Sequence, residues 1–200
     1  GGAKAGNIAS KLASNAFVEH TVSLLRPGAK QKDIEEIMTD SLFAANQSVH
    51  DMALSDSFYD GMGTTLVGLI ATESGVTIIN VGDSRAYLIN KDDGISRITR
   101  DHSLVEDMVE MGKITAEEAK GHPGKNLITR AVGTDATVSG DVYTVNPEKG
   151  SYILMCTDGL TNLVSDQELL YEVLYGEDVS ACCKRLVEIA NSRGGYDNIT

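Results

Sequence analysis

Three aspartates occupy positions where chain punctuation and chemistry coincide: Asp83 in Val81-Gly82-Asp83-Ser84-Arg85, Asp158 in Cys156-Thr157-Asp158-Gly159-Leu160, and Asp197 after Gly194-Gly195-Tyr196. Each is expected at a strand end beside glycine. A single Asp next to Gly is most often turn punctuation, because the short carboxylate hydrogen-bonds its own backbone and tolerates tight geometry. As a group they also suit hard divalent cations such as Mg²⁺ and Mn²⁺, which prefer carboxylate and carbonyl oxygens. The residues alone leave both readings open: a set of turns, or a carboxylate metal site.

Other reactive side chains are less persuasive. Gly82-Asp83-Ser84 resembles the nucleophile block of the Gly-Asp-Ser-Leu esterases, but Arg85 stands where Leu is expected and no Asp-x-x-His occurs near the C-terminus. His102, in Asp101-His102-Ser103, can be read as a general acid; its place in that motif favours an orienting role. His20 and His50 fall on predicted helices as packing or surface residues. The cysteines Cys156, Cys182 and Cys183 form no Cys-x-x-Cys pair, which suits a reducing cytosol.

Composition narrows the classes further. A net charge of −12 disfavours a nucleic-acid partner, since a phosphate backbone would be repelled by the average surface. No apolar run approaches the roughly 18 residues of a membrane span, and the N-terminus carries no charged-then-apolar signal pattern. A chain of 200 residues, 42% of them hydrophobic, suffices for one core, so a single domain over 1–200 is expected.

The elements that must position these residues follow from periodicity. Ile8, Leu12 and Ala16 recur at helical spacing from Lys4 to Leu25, and Arg26-Pro27-Gly28 stops them. Ile34, Met38, Leu42, Ala45 and Val49 then keep a stripe on a longer helix. Segments 64–71, 76–81, 85–89 and 95–99 are short and β-branched, with Glu73-Ser74-Gly75 and Asp92-Asp93-Gly94 as turns, and predict an antiparallel meander. Segment 103–133 is helical but broken by Gly112, Gly121, Pro123 and Gly124, as suits a flap. Strands over 138–145 and 152–156, and helices opened by Ser165-x-x-Glu168 and over 179–192, complete the chain. Segregated strands and helices predict an α+β sandwich of two antiparallel sheets flanked by helices.

Taken in order, Gly61-Met62-Gly63-Thr64-Thr65, Val81-Gly82-Asp83-Ser84-Arg85-Ala86-Tyr87, Thr99-Arg100-Asp101-His102-Ser103-Leu104-Val105, Leu127-Ile128-Thr129-Arg130-Ala131-Val132-Gly133, Cys156-Thr157-Asp158-Gly159-Leu160 and Gly195-Tyr196-Asp197-Asn198-Ile199-Thr200 resemble the successive motifs of the type 2C protein phosphatases. The likeness spans essentially the whole chain and is strongest to the bacterial branch.

The resemblance implies hydrolysis of phosphoserine and phosphothreonine on proteins by a metal-activated water, with no protein nucleophile. It implies two Mn²⁺ or Mg²⁺ ions, with Asp158 and Asp197 as ligands, and a third ion helped by Asp83. Asn162 falls where some relatives place another carboxylate and is a weaker candidate ligand for that third ion. Ser84, Arg85, Asp101 and His102 are assigned to strand, loop and flap structure. Phosphorylated proteins are the expected substrates, a bacterial Ser/Thr kinase the opposing enzyme, the cytoplasm the location and a monomer the state. The opening Gly1-Gly2-Ala3-Lys4-Ala5-Gly6 resembles the tail of the family's Asp-Gly-Met-Gly-Gly motif, so the domain is expected to be partial, lacking N-terminal strands and their ligands and a final strand after Thr200. Asp60-Gly61-Met62-Gly63 imitates that motif by letter only. The alternative is a pseudophosphatase that binds phosphoproteins without turning them over.

Overall fold

In the computed structural model the described residues are 5–176 and 178–200, so the first four residues of the opening glycine motif lie outside them. The elements, in chain order, are α1 (Gly6–Leu24), α2 (Gln31–Ser55), a 3-10 turn (Ser57–Tyr59), β1 (Leu66–Thr72), β2 (Gly75–Val81), β3 (Arg85–Asn90), β4 (Gly94–Arg97), α3 (Leu104–Glu110), α4 (Ala116–Lys120), β5 (Asp141–Val145), β6 (Tyr152–Cys156), α5 (Asp158–Thr161), α6 (Asp166–Tyr175) and α7 (Val179–Ser192). The fold is α+β with two antiparallel sheets, ordered β1-β2-β5 and β4-β3-β6. The chain divides into two compact units, Gly1–Asp83 with Asp101–Val145, and Ser84–Arg100 with Asn146–Thr200.

In the first unit α1 and α2 pack together and onto β1 and β2. The buried stripe of α1 is Ala9, Ala13, Phe17 and Thr21, one position on from the expected Ile8, Leu12 and Ala16, which are half-buried beside it. The reason is close approach: small side chains bring the helix near its neighbours, and a Cβ on Gly68 would lie 2.8 Å from the Phe17 ring. The α2 stripe runs as expected through Ile34, Met38, Leu42, Ala45 and Val49, all buried. Burying side chains of the Val, Leu, Ile or Met class stabilises by about 1.5–3 kcal/mol each.

The expected four-stranded meander is not formed. The strands make two antiparallel hairpins, β1 with β2 and β3 with β4, but β2 pairs next with β5 and β3 with β6. Gly82, at φ +99°, explains the break: its N–H donates to His102 Nδ1 and its carbonyl accepts from His102 N–H, so its backbone groups are taken and β2 does not fold back into a hairpin with β3.

Segment 103–133 contains α3 and α4, capped by Ser103 and by the Thr115/Glu118 capping box that the sequence predicts. Its neck is closed by backbone bonds, Leu104 N–H to Leu127 O and Thr129 N–H to His102 O. The far end is pinned to α2, where Asn46 Oδ1 accepts from Gly133 N–H at 2.7 Å. Gly133 is required there, because at φ +93° a Cβ would fall 2.1 Å from Val49 Cγ1.

In the second unit, Tyr87, Ile89, Cys156, Leu160, Leu169, Leu186 and Ala190 form the core between β3, β6 and the C-terminal helices.

Candidate metal centre and the network around His102

Asp158 leaves β6 through Thr157 and opens the short helix α5 as its first residue. The sequence reads this Asp-Gly as a turn at the mouth of a strand; the structure makes it a helix start, where a carboxylate also meets the positive end of the helix dipole. Asn162 caps the other end of α5, and its Nδ2 donates to Asp158 Oδ2 at 3.2 Å. The amide nitrogen of Asn162, rather than its oxygen, faces the carboxylate.

Asp197, expected at a strand end, instead follows α7, from which the chain returns to Thr157 because Gly194 and Gly195 turn it. Thr157 N–H donates to Thr200 O, Thr157 Oγ1 donates to Asn198 O, and Thr200 N–H donates to Thr157 Oγ1. Gly159 permits the approach, since a Cβ there would sit 2.3 Å from Asn198 O. Asp197 itself is exposed and accepts from Asn198 N–H at 2.7 Å.

Burial pushes the Asp158 carboxyl above the usual carboxylate range, and the Asp197 charge pushes it the same way. Two like charges held in mutual reach, one of them desolvated, form a hard-oxygen donor pair whose cost a divalent cation would relieve. Among the described residues no group of three or more His, Cys, Asp and Glu is placed to hold a metal, so the pair is a partial donor set.

The first unit holds Asp83, half-buried after Gly82. Asp101 and His102 are buried. His102 accepts from Gly82 N–H at Nδ1 (3.1 Å), so the neutral ring carries its proton on Nε2, 3.2 Å from Asp141 Oδ2. Arg130 Nη1 donates to the other oxygen, Oδ1, at 2.8 Å. Both ring nitrogens are engaged with protein groups. Arg130 and Asp141 are members the sequence reading missed; Arg130 lies in a quoted motif, but nothing local marks its partner.

Ser84 is buried in the second unit, which gives an esterase-like nucleophile no exposed hydroxyl. Arg85 Nη1 donates to the Tyr87 hydroxyl at 3.3 Å, and burial pushes that phenol up to about 12. Asp60 is exposed after the 3-10 turn, away from any strand end. The Glu168–Arg193 pair, also unpredicted as a pair, joins the first turn of α6 to the residue that ends α7.

The two antiparallel sheets with their helices, and the carboxylate pair brought together by α5 and the segment after α7, point to one class, and comparison with known proteins agrees. The family described as Protein phosphatase 2C matches residues 1–194. The chain belongs to the protein phosphatase 2C family and is a phosphatase. It is 37% identical over 204 residues to the serine/threonine phosphatase stp of Listeria innocua, covering 100% of this chain and 79% of that protein. The crystal structure of serine/threonine phosphatase Stp1 from Staphylococcus aureus superposes with a TM-score of 0.88 at 35% identity, covering 100% of this chain and 77% of that one. The catalytic domain of the serine threonine protein phosphatase PstP, in complex with two manganese ions, matches with a TM-score of 0.82 at 31% identity, covering 100% and 80%.

Proposed function

We propose that this chain hydrolyses phosphoserine and phosphothreonine on proteins with Mn²⁺ or Mg²⁺, using Asp158 and Asp197 as ligands of two ions and Asp83, with Asn162 as a weaker candidate, for a third. The observation that carries this reading is the Asp158–Asp197 pair, whose raised Asp158 carboxyl marks an electrostatic deficit that a hard cation would fill. The substrate class is supported by relatives named serine/threonine phosphatases, and the metal by the relative that holds two manganese ions. Such ions supply Lewis acidity toward the phosphoryl oxygens and an activated water. The protein's own part is positional: α5 presents Asp158, Thr157 and Gly159 dock the Asp197 segment, and Asn162 fixes one Asp158 oxygen.

The match over residues 1–194 supports one catalytic domain, with segment 103–133 as its flap. Ser84, Arg85, Asp101 and His102 then serve structure. Phosphorylated proteins are the substrates, a bacterial Ser/Thr kinase is the opposing enzyme, and the protein acts as a cytoplasmic monomer. A pseudophosphatase draws no support from relatives named as phosphatases.

The test is hydrolysis of an aryl phosphate and of a phosphothreonine peptide with Mn²⁺, then with Mn²⁺ chelated. Turnover that vanishes on chelation and returns on adding Mn²⁺ is expected. Turnover indifferent to chelation would remove the metal from the mechanism.

A further inference from the structure

Resting on that reading of Asp158 and Asp197, we infer that Arg193 is a positioning residue that sets the geometry of this carboxylate pair. Arg193 caps the C-terminus of α7, and the two glycines after it, Gly194 at φ +121° and Gly195 at φ +51°, reverse the chain toward Asp197. Its guanidinium binds two other segments. Arg193 Nη1 donates to Leu163 O at 2.7 Å and to Glu168 Oε2 at 3.0 Å, while Nη2 donates to Glu168 Oε1.

Leu163 is the residue after Asn162, so the fork ties the end of the Asp158-bearing helix to the start of the Asp197-bearing turn. Glu168 is itself fixed: Ser165 N–H and Ser165 Oγ both donate to its Oε2, at 3.0 and 2.8 Å. On the far side of Asp197, Thr157 holds Asn198 and Thr200. Asp197 therefore hangs between two anchors, one at Thr157 and one at Arg193. Each anchor combines backbone bonds with one side chain: the Thr157 hydroxyl at one end, and at the other the Arg193 guanidinium beside the backbone bonds of Arg193, Gly194 and Gly195 to the last turn of α7.

The pair is part-exposed, at 41% for Arg193 and 39% for Glu168, so solvent screens its contribution to overall stability. Its bidentate geometry confers direction more than energy. Groups hydrogen-bonded directly to metal ligands change metal affinity by about 10–100-fold when removed; Arg193 acts one step further out, through Leu163 and the end of α7, so an effect at the lower end of that range is expected.

The experiment is a calorimetric Mn²⁺ titration, with steady-state kinetics beside it, of the unsubstituted protein, Arg193→Met, Arg193→Lys and Asp158→Asn. Loss of Mn²⁺ affinity of about tenfold or more is expected in Arg193→Met, with a thermal midpoint close to the parent's, and a smaller loss in Arg193→Lys, which keeps charge but not the fork. Raising Mn²⁺ should restore much of the lost kcat. Mn²⁺ affinity within twofold of the parent in both Arg193 variants, while Asp158→Asn loses binding, overturns the role of Arg193 and leaves the metal site standing. Unchanged binding in Asp158→Asn as well overturns the site assignment on which the inference rests. Should Arg193→Met fail to fold, Arg193→Lys carries the same decision.

Discussion

At the scale of single residues, the two carboxylates make opposite demands on activity and stability. Asp158→Asn or Asp197→Asn should lower Mn²⁺-dependent turnover by about a hundredfold or more, since several kcal/mol of transition-state stabilisation is at stake and each 1.36 kcal/mol is tenfold. Phosphopeptide kinetics at saturating Mn²⁺ measure this, and near-normal rates in either variant would contradict the assignment. Without metal the sign reverses for Asp158. Its carboxyl is raised in the folded state, chiefly by burial. At pH values below the unfolded value of about 3.9 the group is protonated in both states and costs nothing; the cost grows as pH rises from there and is complete above the raised folded value. The metal-free Asp158→Asn protein should therefore melt higher than the metal-free parent at pH 7, with the difference shrinking toward pH 3. Thermal melts in chelator across that range decide it.

At the scale of elements, the junction after β2 tolerates little change. Gly82→Ala would force a Cβ to 2.3 Å from Thr65 Cγ2 at a φ of +99°, where L side chains are strained. A loss of about 2–4 kcal/mol is expected, read as a lower denaturant midpoint. His102→Ala leaves Gly82 N–H without its acceptor and removes a donor from Asp141, so a loss of about 1–3 kcal/mol is expected for the unsatisfied buried group alone. His102→Gln, which can both accept and donate, should recover part of it. If His102→Ala lost activity while keeping full stability, its role would be chemical rather than structural.

The sequence made most of these elements legible, because α2's stripe, the Thr115/Glu118 box and the Ser165/Glu168 box are local patterns. Two antiparallel sheets were legible, but which strands share each sheet was not. Strand content alone cannot say whether β2 pairs with β3 or with β5, and the deciding bonds come from His102, remote in sequence from Gly82.

At the scale of the whole molecule, metal and charge set the observable behaviour. Mn²⁺ that binds only the folded protein should stabilise it by about 2.7 kcal/mol at 100 times its dissociation constant, and the shift should be lost in Asp158→Asn. A melting series against Mn²⁺ concentration reads both. The net charge of −12 repels nucleic acid and favours cationic segments beside a phosphorylated residue, so kcat/KM should be higher for basic than for acidic phosphopeptides, with the gap narrowing as salt rises. Equal rates at low salt would remove charge as a selector.

By itself the sequence determined the family, the order of its motifs, the helices and strands, and Asp158 and Asp197 as the residues to watch, since these depend on residue types and short spacings. Tertiary structure alone decided which strands share a sheet, that His102 is held between Gly82 and Asp141, and that Arg193 reaches Glu168 and Leu163. Those pairings join residues far apart along the chain. Their free energy depends on desolvation and on geometry that only packing creates, and no local pattern of residue types encodes either.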